Sequence, residues 1–405
     1  NYTYYVIFPQ ILHDSYKILR SSFVFPHIFS FLLFIFSFCS LFFRLSAYFF
    51  VFLQTNRAIR FVIRKSKVLR VYSTFKLHPT LQKEIKKMNI TEFLNNGAQE
   101  KGFSFEVLPP LKGNGTAALF RTIDALKEFN PRFINITTHH SEFVYKELDN
   151  GLLTRQRVRR RPGTVAIAGA IQNKYDIPVI PHVICSGASK EDIEYELLDL
   201  QFLGISNLLV LRGDKAKDDR QFTPTANGHM HATDLLKQVN QFNDGFFMDG
   251  TPIKHPGEKF CCGVACYPEK HEEAPNLEMD MQHLLEKQQL GAAYAVTQLF
   301  YDNQKFYDFV EKARKLGITI PIIPAIKPFA KLSQLTVVPK TFHCDIPEEL
   351  AQEVLKCKTD EDAKELGIEW TTAQVKDLFE HGYNNVHFFT VSAVDSVKQI
   401  AKTLF

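Results

Sequence analysis

From Met88 onward the chain repeats one pattern, a short apolar run followed by a stretch with apolar residues at helical spacing. The runs predict strands at Phe103–Leu108, Phe133–Thr138, Pro178–Cys185, Asn207–Gly213, Phe260–Tyr267, Ala295–Tyr301, Ile320–Ile326 and Val386–Val391. Between them "TAALFRTIDALKEF", "SKEDIEYELLDLQFLG", "NLEMDMQHLLEKQQLG", "NQKFYDFVEKARKLG" and "TTAQVKDLFEHG" read as amphipathic helices. The last three run into Gly291, Gly317 and Gly382, the residue that most readily stops a helix. Strands that alternate with helices imply a parallel sheet, because each return to a parallel neighbour needs a crossover. Eight such units in the 318 residues from 88 to 405 fit a closed (β/α)8 TIM barrel.

An open doubly wound sheet is the rival. "GNGTAA", with Gly113, Gly115 and Ala118 after the first strand, resembles a dinucleotide fingerprint. That fingerprint needs an acid at the end of the second strand to hold a ribose, and here strand two ends Thr137-Thr138. The glycines therefore read as a loop and a helix entry.

Residues 1–87 break the pattern and read as a leader to a catalytic domain at 88–405. They hold 15 of the 37 phenylalanines and carry 13 Lys and Arg against Asp14 and Glu84, a net of +11. The whole chain is +4, so residues 88–405 are −7, and the basic balance gives no reason to expect a nucleic-acid partner. Ser21 to Phe43 is uncharged over 23 residues, long enough to span a bilayer. The basic cluster from Arg57 to Arg70 would then face the cytoplasm. The competing reading is upstream sequence outside the native protein, since the first methionine is Met88 and the leader uses the residues of A/T-rich codons. A targeting peptide fits less well, because its apolar region is shorter. A membrane contact is expected only if residues 1–87 are genuine, and the barrel is expected in the cytoplasm.

Seven cysteines in a long chain do not indicate a disulfide framework. Cys261, Cys262 and Cys266 lie within a probable strand with no second pair at zinc spacing, and read as buried free thiols rather than metal ligands. "HEEAP" has Pro275 where a zinc-protease helix would carry its second His. The basic run "RQRVRRRPG" reads as a solvated loop, with a grip on a polyglutamate tail or a phosphate as the alternative.

Chemistry in a barrel collects where strands end. Those ends carry Glu106; Thr137 with His139; His182; Arg212-Gly213-Asp214; Tyr267 with Glu269 and His271; Gln298 with Tyr301; Lys327; and Thr390. Glu106 stands out, as a carboxylate inside the apolar run "GFSFEVLPP" must find a partner, stay protonated or face a site. Any one of these residues is as well explained by a structural hydrogen bond; the set points to one shared site.

"FSFEVLPP", "PHVIC", "LLVLRGD", "ACYPEKHEEA", "LGAAYAVTQLFYD" and "VHFFTVS" follow in order at the predicted strands. Together they resemble methylenetetrahydrofolate reductase of the bacterial single-domain type, over about residues 88–405. The resemblance implies an FAD enzyme that takes hydride from NADH or NADPH and reduces 5,10-methylenetetrahydrofolate to 5-methyltetrahydrofolate, in ping-pong fashion, for methionine synthesis. It also implies a homo-oligomer. Glu106 matches the general acid, and Asp214 the carboxylate placed between flavin and pterin. Gln298 and Gln334 match folate contacts. Thr137, Thr138, His182, Arg212, Gly213, Asp214, Ala232, Tyr267, His271, Ala274, Asp280, His283 and Lys287 match FAD contacts.

The chain departs from the pattern in three places. Thr138-His139 stands where many relatives have Tyr-Gly, Ala393 where an Arg is frequent, and Glu286 where a basic residue is usual. Larger members carry a C-terminal regulatory domain; this sequence ends in the last barrel helix, and no such regulation is expected.

Overall fold

A computed structural model describes residues 90, 91, 94, 100–139, 142–215 and 219–405. All belong to one compact unit, Ile85–Phe405. The readings made for residues 1–87 lie outside the described residues.

The chain begins with β1 (Gly102–Val107), α1 (Ala117–Leu126) and β2 (Ile134–Ile136), then forms a hairpin of β3 (Glu142–Glu147) and β4 (Leu153–Val158). It continues through α2 (Thr164–Lys174), β5 (Val179–Ile184), α3 (Lys190–Phe202), β6 (Asn207–Leu211), α4 (Ala232–Asn243), β7 (Cys261–Cys266) and α5 (Leu277–Gln289). After β8 (Tyr294–Thr297) and α6 (Asn303–Lys315) come β9 (Ile322–Ile323) and β10 (Ala325–Ile326). Three helices follow, α7 (Gln334–Phe342), α8 (Glu348–Lys356) and α9 (Asp360–Glu380), before β11 (Asn385–Phe389) and α10 (Val394–Leu404) close the chain.

The sheet order is β10-β11-β1-β2-β5-β6-β7-β8-β9, parallel throughout. β9 and β10 are the two halves of one predicted strand, parted by Pro324, which has no N–H for the ladder. Thr297 bridges the break, its Oγ1 accepting from the Ala325 amide at 2.8 Å. With β9 on β8 and β10 on β11, the sheet comes round as a nearly closed TIM barrel.

Side-chain alternation divides the core in two. Phe103, Phe105, Val107, Ile134, Ile136, Val183, Val210 and Val264 face the helices. Phe133, Ile180, Leu209, Tyr294, Val296 and Ile323 fill the barrel, with Ile90 and Leu94 packed among them. The Ile90 amide donates to Asn207 Oδ1 at 3.1 Å, which fixes that segment to the barrel interior. α5 and α6 stop as predicted: each is followed by a left-handed glycine, Gly291 (φ +86°) and Gly317 (φ +94°).

Two features were not foreseen. The basic run at 155–163 is not all loop, because Arg155 to Val158 belong to β4, paired antiparallel with β3 from Glu142↔Val158 to Glu147↔Leu153. A second apolar cluster joins Leu299, Tyr301, Phe329, Val338, Cys344, Leu350 and Val354 beneath α7 and α8.

Candidate active site

Because Phe105 and Val107 face the helices, Glu106 faces the barrel interior. Its Cα stands level with Asn135 on β2 and Phe389 on β11, and its carbonyl accepts from Thr390 Oγ1. The carboxyl is pushed up to about 7 by burial, against the opposing pull of the Lys327 ammonium. Of the three fates open to a carboxylate on an apolar strand, two hold at once: it lies where the strand opens and keeps its proton to near neutrality.

On the strands that follow β1 in the sheet is a cavity of about 500 Å³ lined by Leu111, Thr137, Thr138, His139, Arg160, Arg161, His182, Ile184, Leu211, Gly213 and Asp214; Glu106 is not among the lining residues. Five of the expected site residues, Thr137, Thr138, His182, Gly213 and Asp214, therefore share one hollow at the ends of β2, β5 and β6. Thr137 Oγ1 and His182 Nε2 are buried with no hydrogen-bond partner, as expected of groups that await a ligand. Burial, assisted by His139, lowers His182 to about 3, so its ring is neutral. Gly213 holds φ +80°, and a Cβ there would lie 2.9 Å from Ser186 Cβ. Backbone alone fits, and a flat ligand can approach it closely. Thr138 is committed elsewhere, its Oγ1 donating to the His182 carbonyl at 2.5 Å. Asp214 is exposed at the mouth, and its carbonyl accepts from Ser186 Oγ at 2.8 Å.

Next to the cavity lies a set suited to a nucleotide. Arg212 forms a two-pronged pair with Glu273 and lies over the Phe222 ring at 4.8 Å. Burial works against the Arg212 charge, but the Glu273 carboxylate outweighs it and raises its pKa. On α5, Asp280 Oδ2 accepts from the His271 amide at 2.9 Å, and Lys287 Nζ donates to the Ala265 carbonyl at 3.0 Å. Burial lowers the Lys287 pKa and Asp280 opposes it. Tyr267 packs edge-on against His271, with ring centres 4.8 Å apart. Ala274 is buried, Ala232 opens α4, and His283 is exposed on α5. Two cations for a diphosphate, an acid for hydroxyl groups, two aromatic rings and unpaired buried acceptors and donors fit a flavin dinucleotide.

Some expected contacts are turned to local work. Gln334 Oε1 accepts from the amides of Ala330 and Lys331, at 2.6 and 2.9 Å, and so caps its own turn. Gln298, just past β8, has its Oε1 on the Leu299 amide at 2.9 Å. Glu269 pairs with Lys305 at 2.8 Å, and Tyr301 is buried in the second apolar cluster. Arg160 and Arg161, in the basic run whose alternative reading was a grip on a polyglutamate tail or a phosphate, line the cavity past the base of the hairpin, and Lys327, one of the strand-end set without a stated role, acts on Glu106. Position was the signal for all three, each within three residues of a strand end, Val158 for the arginines and Ile326 for the lysine.

Residues 90–405 match the profile of the family described as methylenetetrahydrofolate reductase. Methylenetetrahydrofolate reductase 1 of Schizosaccharomyces pombe is 29% identical over 304 residues, covering 75% of this chain and 45% of that protein. Methylenetetrahydrofolate reductase (NADH) 1 of Arabidopsis thaliana is 30% identical over 309 residues, covering 75% and 48%. The 5,10-methylenetetrahydrofolate reductase of Escherichia coli is 27% identical over 304 residues, covering 74% and 90%. The chain thus spans about half the length of the two eukaryotic relatives. A solved Clostridium thermocellum protein, described as binding two copies of 5-methyl-5,6,7,8-tetrahydrofolic acid, superposes with TM-score 0.50 at 15% identity over 78% of this chain and 98% of that one. At that identity the likeness speaks for the fold. From the match over 90–405, the chain belongs to the methylenetetrahydrofolate reductase family.

Proposed function

We propose that the chain reduces 5,10-methylenetetrahydrofolate to 5-methyltetrahydrofolate, with FAD as carrier and NADH or NADPH as donor. Bound at the cavity, the flavin supplies hydride transfer between the two substrates. Relatives are named for both nucleotides, NADH in Arabidopsis thaliana and NADPH in Caenorhabditis elegans, so the donor stays open.

The residues divide the remaining work. The substrate accepts hydride only once its five-membered ring has opened to an iminium cation, and opening needs a proton on the leaving nitrogen. Glu106 keeps its proton to about pH 7 and faces the barrel interior at the end of β1, so it serves as the general acid. Its O–H bond breaks as the N–H bond forms, leaving a carboxylate. Asp214, at the mouth, lends negative charge to the developing cation. Thr137, neutral His182 and the Gly213 backbone would hold the flavin ring, Arg212 and Lys287 would face its phosphates, and Asp280 would accept from its ribose hydroxyls. Gln298 would leave the Leu299 amide to bond the pterin.

The observation that carries this reading is the inward-facing, proton-retaining Glu106. In the test, Glu106→Gln protein loaded with FAD is reduced by NADH or NADPH and then mixed with methylenetetrahydrofolate. Bleaching should stay close to wild type, while recovery of colour slows by about 100-fold or more. Undiminished recovery would remove Glu106 from the role. A flavin oxidoreductase acting on another acceptor is the second reading; it predicts bleaching in the wild type with no recovery on the folate.

A further inference from the structure

Lys327 is a charged side chain that the mechanism above does not use. It directly follows β10, where Ile326 is in register with Phe388, so Lys327 stands at the level of Phe389. Phe389 is itself in register with Glu106. Ala325 belongs to the interior cluster and Ile326 to the helix-facing one, so alternation turns Lys327 inward, as it does Glu106. Two strand spacings, roughly 10 Å, separate the backbones, a gap that two long inward side chains narrow. The Lys327 ammonium is held in place by donating to the Val391 carbonyl at 2.9 Å. Thr390, one residue earlier, holds the Glu106 carbonyl. One two-residue segment after β11 therefore fixes both partners.

The surroundings leave Lys327 as the relevant charge. His387 on β11 and His182 on β5 are neutral, both held to about 3 by burial first. Asn135 on β2 and Thr137 just after it carry no charge, and Asp214 and His139 lie out at the cavity mouth. Among the described residues, Lys327 is the charge that acts on the Glu106 carboxyl.

We propose that Lys327 is a positioning residue for the proton donor, the tethered counter-charge to the Glu106 carboxylate left when its proton passes to the folate nitrogen. The proposal rests on the reductase reading for its chemistry and on the strand register for its geometry. A cation there favours the ionised carboxyl, against the burial that favours the protonated one. It therefore lowers the pH above which the acid form is lost, against the larger effect of burial.

The test has a readout that needs neither cofactor nor substrate. Infrared titration of the full chain follows the protonated carboxyl band, assigned by its loss in Glu106→Gln. Lys327→Met should move the midpoint upward by about one pH unit or more, and Lys327→Arg should leave it near the wild-type value. In the loaded enzyme the alkaline limb of the folate half-reaction should move by the same amount, with no change in the nicotinamide half-reaction. A midpoint unmoved in Lys327→Met overturns the proposal. Should the Met variant not fold, Lys327→Gln removes the charge and decides in the same way. A shifted midpoint in a protein that never reduces the folate supports the pairing and sinks the reductase reading instead.

Discussion

Glu196 on α3 shares with Glu106 a carboxyl pushed up to about 7, by burial first, with the Thr164 hydroxyl at 2.9 Å and Arg159 opposing. Its effect should be on stability alone. The folded chain keeps this proton up to about 7, whereas the unfolded chain releases it near 4.5, so stability falls as pH rises across that window. Glu196→Gln keeps an acceptor for Thr164 and removes the charge. Its melting temperature should exceed wild type by about 2–4 °C at pH 8, with the gap closing by about pH 4.5. A variant less stable than wild type at pH 8 would show that the Arg159 attraction dominates. Asp214 offers the matching test of chemistry. If its charge steadies the cation of the folate step, it also resists adding electrons to the flavin, so Asp214→Asn should speed nicotinamide-driven bleaching and slow folate-driven recovery. Each change should be about tenfold, modest because the side chain is exposed to screening water. Stopped-flow measurement of the two halves separates this from simple damage, which slows both.

Among the elements, the strands that line the barrel were the most legible, because burial on both faces of a parallel sheet leaves continuous apolar runs. The hairpin β3–β4 was hidden for the converse reason: Tyr145, Leu152 and Leu153 are exposed on it, and its apolar residues do not alternate with its polar ones, in either EFVYKE or LTRQRV. α7 and α8 were missed because they cover a small second cluster rather than the sheet, and Pro339 interrupts the first of them. At the site, the strand ends carried most of the signal. What could not be read was where flexible carboxamides turn, as Gln334 shows by bonding to its own turn. Register explains one position that looked like mere strand composition. Gly263 on β7 lies opposite Tyr294 on β8, and a Cβ there would come within 2.3 Å of the fully buried Tyr294 ring. Gly263→Ala should therefore lower stability by roughly 1–3 kcal/mol. Part of that loss should return in Gly263→Ala/Tyr294→Leu, where the ring is gone. Urea midpoints of the two variants compare them directly.

For the whole molecule, the useful question is where the folding unit begins. Among the described residues no helix is long and apolar enough to cross a membrane, so the barrel itself presents none. The resemblance starts at about residue 88 and the family match at residue 90. Ile90 is fully buried and Leu94 nearly so, both inside the barrel rather than outside it. Together they close the end away from the candidate site, and the Ile90 amide donates to Asn207 Oδ1 there. Two shortened chains test this. One starting at Met88 should keep the full urea midpoint and full flavin binding. One starting at Glu100 loses both aliphatic side chains, at about 1.5–3 kcal/mol each, together with the Ile90 amide's hydrogen bond to Asn207. It should be several kcal/mol less stable while the side chains of the candidate site are untouched in sequence. Equal midpoints for the two would mean that Ile90 and Leu94 rest in the barrel without supporting it, and the folding unit would then start at β1.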